Sequence, residues 1–448
     1  GESVYCCTTA ANLRVGTLAD RVIEAGGQVA SVSLKDRGAN LLGGANATLE
    51  SWYDREGQKF TDPRDGIDVA KWMKEPWTAL HPEAYAQLAG VDDDPNESDP
   101  GFGRTFPHAA AAATPKAFLA TPFAGEALTD AAIAAVGRLQ LGADGVPDLL
   151  TVSYSQTDYI GHTFTAESWE AMDGMVRLDA TLGRLFAHLD QVVGPDQYTV
   201  ALSSDHGAIV AEGAVRVSPN GLVETANQAL HAAGFAGEVA WEDPGLWLPV
   251  PVRAAPEDRA KAARAVAAAV RAMPGIGGAW AWRDDGVDGP HADAVRNSLD
   301  EERSGDVYLL LAEGALFDYP GAEGRGTSHG TPYDVDARVP FLMVGARVAP
   351  GKPAADFDTR QIAPTLAAVL GVAAPAQPSM AMPSSWLSAR QPVVCIWATW
   401  VATAGWMSPT QPSVLLVLRP EKLPRCFRFA RSKTWKRLPS SRWSVASQ

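Results

Sequence analysis

The sequence predicts an α/β protein with a mainly parallel central sheet flanked by helices, carrying inserted loops or a subdomain. Two observations lead to this class. Short apolar runs bounded by Gly, Pro or Asp recur along the chain, and stretches with apolar residues at helical spacing lie between them. Strands separated by helices of this length require crossover connections, which pair the strands in parallel. No internal repeat is visible.

In chain order, strands are expected at Gln28–Leu34, Asp148–Ser155, Gln197–Ser204, Asp306–Ala312 and Pro340–Val344, each rich in Val, Leu, Tyr or Phe. The clearest helix starts near Thr165 as N-cap, with Glu167 in its first turn. It then spaces Trp169, Met172, Val176, Leu182, Leu185, Phe186, Leu189 and Val193 helically. An Ala-rich helix is expected over Ala260–Met273. In parallel sheets ligands bind beyond the carboxyl ends of strands, so polar residues just past those ends are the candidates for function.

Composition sets outer limits. The 448 residues are 46% hydrophobic, which excludes disorder as the main state, and a net charge of −14 argues against a nucleic-acid partner. Cys6, Cys7, Cys395 and Cys426 form no CxxC pair, so neither a zinc ribbon nor a disulfide scaffold is indicated. The chain opens at Gly1 without Met or a basic-then-apolar leader, which reads as a processed or truncated product with no signal for its compartment.

Charge also divides the chain. Residues 377–448 carry a balance of +9, leaving −23 on residues 1–376, and they hold six of the 14 tryptophans. The expected organisation is therefore one α/β domain over 1–376 and an atypical basic, Trp-rich tail over 377–448. Gln391–Leu418 has no charged side chain, but Ser408-Pro409-Thr410-Gln411-Pro412 interrupts it, so a membrane span is disfavoured. A basic docking arm, or a segment alien to the domain, are the other readings.

Three stretches near strand ends share one chemistry. They are Ser155-Gln156-Thr157-Asp158-Tyr159-Ile160-Gly161-His162, then Asp205-His206-Gly207, then Thr327-Ser328-His329-Gly330-Thr331-Pro332. Carboxylate oxygen and imidazole nitrogen suit Zn²⁺, with Mn²⁺ also possible. Gly161, Gly207 and Gly330 would allow backbone bends that turn ligands toward one ion. Singly, each stretch also reads as a capped turn or a surface histidine. His81, His108, His188, His231 and His291 lack such Asp-and-Gly surroundings, so the three stretches together carry the signal.

These stretches, with Arg177-Leu178-Asp179 and Ser203-Ser204, resemble the metal-binding core of the alkaline phosphatase superfamily. The likeness is closest to phosphate-irrepressible alkaline phosphatases, relatives of the nucleotide pyrophosphatase/phosphodiesterases, and covers residues 1–375. The resemblance implies two zinc sites: Asp158, His162 and His329 on one ion, with Asp205 and His206 contributing to the other. It further implies a small-molecule phosphate ester as substrate and a periplasmic or extracellular location. Lys35 and Arg37 close the first strand. Alone they read as a solvated charged strand end, although residues two apart in extended chain share a side. By resemblance they would bind phosphate oxygens and favour a monoester over a diester. The family's first-strand Asp ligand and its Thr or Ser nucleophile would precede Gly1, and Thr8 and Thr9 are poor substitutes. The expectation is one intact zinc site and little phosphatase activity. A phosphodiesterase or pyrophosphatase, or a non-catalytic zinc-binding pseudoenzyme, are the competing functions. Neither the organic part of the substrate nor the oligomeric state is legible.

Overall fold

The computed structural model describes residues 9–375 except 63, 65, 319–323, 350 and 352–356, together with the backbone of 394–400. Its first strands are β1 (Val29–Ser33), β2 (Leu49–Asp54), β3 (Lys59–Phe60), β4 (Asp148–Ser153) and β5 (Tyr198–Ser204). Then come β6 (Val215–Val217), β7 (Ala240–Glu242), β8 (Gly245–Trp247), β9 (Ile276–Trp280) and β10 (Val307–Leu311). The last are β11 (Ala315–Phe317), β12 (Phe341–Gly345) and β13 (Val394–Trp400). The helices used below are α1 (Leu18–Glu24), α2 (Asp36–Gly43), α3 (Pro122–Leu139) and α4 (Gln156–Phe164). They continue with α5 (Trp169–Val192), α6 (Pro219–Ala232), α7 (Pro256–Arg271) and α8 (Ile362–Leu370).

The central sheet has seven strands in the order β12-β5-β13-β4-β1-β2-β3. Its five inner strands, β5 to β2, run parallel, while β12 and β3 pair antiparallel at the two edges. Helices bury both faces, and the two-residue period of the strands sorts side chains between them. Ala30, Val32, Leu150, Val152, Val200 and Leu202 pack with α3, α4 and α5. Their neighbours Val29, Leu149 and Ala201 point the other way, against Leu18, Val22, Leu366 and Leu370 of α1 and α8.

Several elements differ from the sequence expectation. The long helix begins at Trp169, because Ser168 caps it and accepts the Ala171 N–H at 3.0 Å. Thr165 instead ends α4 at φ 75°. The apolar run near Asp306–Ala312 is a strand, but it belongs to a second sheet, β7-β8-β10-β9, whose pairings are antiparallel. This sheet and helices α6 and α7 enclose their own apolar core, including Leu222, Leu246, Val266 and Leu309. It is the inserted subdomain.

Val394–Trp400, within the segment set apart as a tail, is the strand between β4 and β5. A run without charged residues can lie between two buried strands at no desolvation cost from ionised groups. Residues 401–448 lie outside the described residues, as do Thr8, Cys6, Cys7 and Cys426.

Candidate metal centre

Register brings the predicted residues to one rim. Ser33 of β1 stands opposite Ser153 of β4, and β5 ends at Ser204, so the segments after all three strands leave the same side of the sheet. After β4 the chain turns at once into α4, where Asp158 and His162 are four residues apart and share a face. Asp158 is 3% exposed, and its Oδ1 lies 3.1 Å from His162 Nε2, 3.6 Å from His329 Nε2 and 4.0 Å from His206 Nε2. Its Oδ2 pairs with the ammonium of Lys35.

Imidazole orientation is fixed from behind. His162 Nδ1 meets the carbonyl of Thr327 at 2.8 Å, and His206 Nδ1 meets the carbonyl of Gly207 at 2.7 Å. A carbonyl accepts only, so each Nδ1 donates; at His162, burial would lower the imidazole, but the hydrogen bond and charge of Asp158 outweigh it and raise its pKa. The rings of His206 and His329 stack, with centroids 3.3 Å apart. Burial, reinforced by His206, pushes His329 down to about 3, so this stacked imidazole is neutral. Burial alone would raise the carboxyl of Asp158. The hydrogen bond and charge of His162, then the charge of Lys35, outweigh it and hold Asp158 well below the usual carboxylate range.

Ligand atoms of Asp158, His206 and His329 all lie within 4.8 Å of one another, a separation that one ion can bridge. His162 contacts the same carboxylate oxygen. The expected split placed Asp158, His162 and His329 on one ion and His206 with Asp205 on another; in the structure His206 also lies within reach of Asp158 and His329. Asp205 stands apart from the group: its side chain is 60% exposed and its Oδ2 lies 3.7 Å from His206 Nε2.

Lys35 and Arg37 stand at the start of a helix rather than in a strand. β1 ends at Ser33 and α2 starts at Asp36 with Lys35 as N-cap, so strand alternation does not reach Arg37. Lys35 turns into the site, while Arg37 is exposed and makes no ion pair among the described residues. Thr9 caps the 3-10 turn Ala10–Asn12 at an exposed position.

The glycines act differently from one another. A Cβ on Gly207 would stand 2.2 Å from the Val335 carbonyl oxygen, and one on Gly326, at φ 67°, would stand 2.1 Å from the His162 carbonyl oxygen. Close backbone approach requires glycine at both. Gly161 has open space around it inside α4, so no bend depends on it.

One functional residue escaped the sequence reading. Asp336 is 1% exposed, and its Oδ2 accepts the N–H groups of Gly330 and Thr331 at 2.6 Å each and the Thr331 hydroxyl at 3.0 Å. Its own carbonyl accepts the Gly207 N–H at 2.6 Å. Asp336 thus ties the His329 loop to the His206 turn. The available signal was an Asp shortly after Thr331-Pro332, but its partners are backbone amides, which composition does not reveal.

A parallel sheet whose strand ends present a buried carboxylate among imidazoles defines a class, the metallohydrolases of the alkaline phosphatase superfamily. Residues 25–332 match the type I phosphodiesterase / nucleotide pyrophosphatase family, and the chain belongs to that family. Among similar proteins, alkaline phosphatase PhoV of Synechococcus elongatus is 30% identical over 404 residues, covering 81% of this chain and 72% of that protein. Alkaline phosphatase PafA of Elizabethkingia meningoseptica is 27% identical over 431 residues, covering 84% and 78%. A crystal structure of wild-type PafA superimposes with a TM-score of 0.75 at 25% identity, covering 85% of this chain and 79% of that one.

Proposed function

We propose that the protein is a zinc-dependent phosphate monoester hydrolase, acting on a small-molecule ester at the rim formed by β1, β4 and β5. The observation that carries this reading is the convergence of Asp158, His206 and His329 ligand atoms within 4.8 Å, with His162 on the same carboxylate. The donors are one carboxylate and imidazoles, and an imidazole that has given up its Nε2 proton suits zinc better than a hard cation does. Bound there, zinc would supply Lewis-acid polarisation of a phosphoryl oxygen. Asp205 would be available to a second ion. Lys35, a half-buried ammonium beside Asp158, would bind a non-bridging phosphate oxygen, and Arg37 can reach substrate from the exposed start of α2.

Two cations facing the phosphoryl group favour the additional negative charge of a monoester. The test compares a chromogenic phosphate monoester with its diester on the zinc-loaded chain, beside zinc content after dialysis. Higher kcat/KM for the monoester supports the proposal, whereas diester preference sinks it. The second reading, a phosphodiesterase or nucleotide pyrophosphatase, is favoured by the description of the matching family. Zinc binding without turnover of either ester would favour a non-catalytic metal-binding role. None of the described helices is long and apolar enough to cross a membrane.

A further inference from the structure

Lys35 is fixed at both ends. Ser33 of β1 stands opposite Ser153 of β4, so the segments that follow these two strands lie side by side. The Lys35 N–H donates to the Ser33 hydroxyl at 2.9 Å, which fixes its backbone at the start of α2. Its ammonium then has two partners of unlike chemistry, consecutive residues near the start of α4. One is the carboxylate of Asp158. The other is the ring face of Tyr159, whose centroid lies 4.9 Å from Nζ.

That ring is itself held in place. Tyr159 packs against the main apolar core, its N–H donates to the Ser155 carbonyl at 3.2 Å, and its carbonyl accepts the Thr163 hydroxyl at 2.7 Å. An ammonium at this distance is attracted to the negative face of the ring, the more so where water is partly excluded. The Lys35 side chain is only 14% exposed. The two partners differ in what else they can bind. A zinc ion on Asp158 would share the carboxylate and weaken its hold on the ammonium, because two cations then face one anion. Zinc takes oxygen, nitrogen and sulfur ligands, so the aromatic face stays with the lysine. Such a hold matters for this side chain. Its flexible stem leaves a point charge unlocalised, whereas a group that stabilises an oxyanion acts best when preorganised.

We propose that Tyr159 is a positioning residue, whose ring keeps the Lys35 ammonium at the phosphoryl group while the metal holds Asp158. The inference rests on the reading of Lys35 as a phosphate ligand. It assigns the role to the ring rather than to the phenol hydroxyl, because the contact is with the face. Tyr159 acts through Lys35 alone.

The test labels the lysine ε-carbons of the full chain with carbon-13 and follows the ε-proton shifts with and without zinc. Protons held over an aromatic face move upfield. Lys71 over Trp72 and Lys261 over Phe235 supply reference signals. One more upfield signal is expected, retained in saturating zinc and in Tyr159→Phe, and absent in Lys35→Ala and Tyr159→Leu. Calorimetry with inorganic phosphate on the zinc-loaded chain should show affinity about fivefold weaker in Tyr159→Leu, the scale of one cation–π contact. Tyr159→Phe should restore it, and adding Tyr159→Leu to Lys35→Ala should change nothing further, at equal zinc content. Tyr159→Met is measured in parallel in case the leucine variant does not fold. Loss of the shifted Lys35 signal on adding zinc, or an equal effect of Tyr159→Leu with and without Lys35, overturns the proposal. A wild-type chain that prefers the diester yet reproduces the phosphate pattern removes the monoesterase reading and upholds the role of Tyr159.

Discussion

Lys35 and Asp158, 123 residues apart in sequence, form an ion pair at the rim of the central sheet. The ammonium stands on one carboxylate oxygen while three imidazoles approach the other. Positive charge from the chain and from a bound ion would thus compete for one carboxylate.

Lys35→Ala is expected to tighten zinc binding several-fold, because it removes a cation from beside the ligand. The same change should lower monoester kcat/KM by about 100-fold, in the range seen when one oxyanion donor is lost, and the diester value much less. Zinc titration with a chromophoric chelator and parallel ester kinetics measure both. Loss of zinc affinity in this variant would contradict the assignment of Lys35 to the phosphate.

Asp336→Asn should act through position. With a weaker acceptor on the Gly330 and Thr331 amides, the His329 loop loosens, and zinc affinity is expected to fall about 10–100-fold, the range typical of residues that orient ligands. Excess zinc should restore most of the activity. Failure of zinc to rescue a folded variant would place Asp336 in another role.

The pH dependence of stability follows from Glu97 and Glu170, pushed up to about 10 and about 9 by burial foremost. Between the unfolded carboxyl value near 4.5 and these folded values, the native state holds more protons than the unfolded state. Stability is therefore greatest at the acid end of this window and declines as pH rises through it. Thermal unfolding from pH 5 to pH 9 should show the decline in wild type and a shallower one in Glu97→Gln.

Asp173 offers a test confined to folding. This buried carboxylate receives the Trp77 indole N–H at 2.7 Å, the Leu80 N–H at 2.7 Å, the Tyr85 hydroxyl at 3.1 Å and Arg177 Nε at 2.5 Å. Asp173→Ala strands all four donors and is expected to cost about 3–5 kcal/mol, as removal of one partner of a buried ion pair does. Asp173→Asn should cost less. Urea unfolding measures the difference.

Much of this architecture can be read from side-chain type. β1, β4 and β5 are apolar runs with sharp polar ends, and Asp158, His162, His206 and His329 stand out because imidazoles beside carboxylates at such ends are unusual. What could not be read depends on backbone. Lys35 and Arg37 were read as strand residues on one side, whereas Lys35 caps α2 and Arg37 lies in its first turn. Asp336 works through amides. The pairing of β10 within a second sheet, and of β13 between β4 and β5, follows from long-range contacts that no local pattern encodes.

The inserted subdomain departs from the catalytic sheet and returns to it through one narrow neck. β6 and β11 pair in parallel there, and the Ile209 N–H donates to the Ser328 carbonyl at 2.9 Å, so outgoing and incoming chain are fastened together beside the ligands. Everything between them can lengthen, shrink or be exchanged without dragging the metal-facing side chains out of place. Evolution can therefore remodel the insert while the residues at the rim of the central sheet stay constant, and a grafted insert from a relative should fold onto this neck as a module.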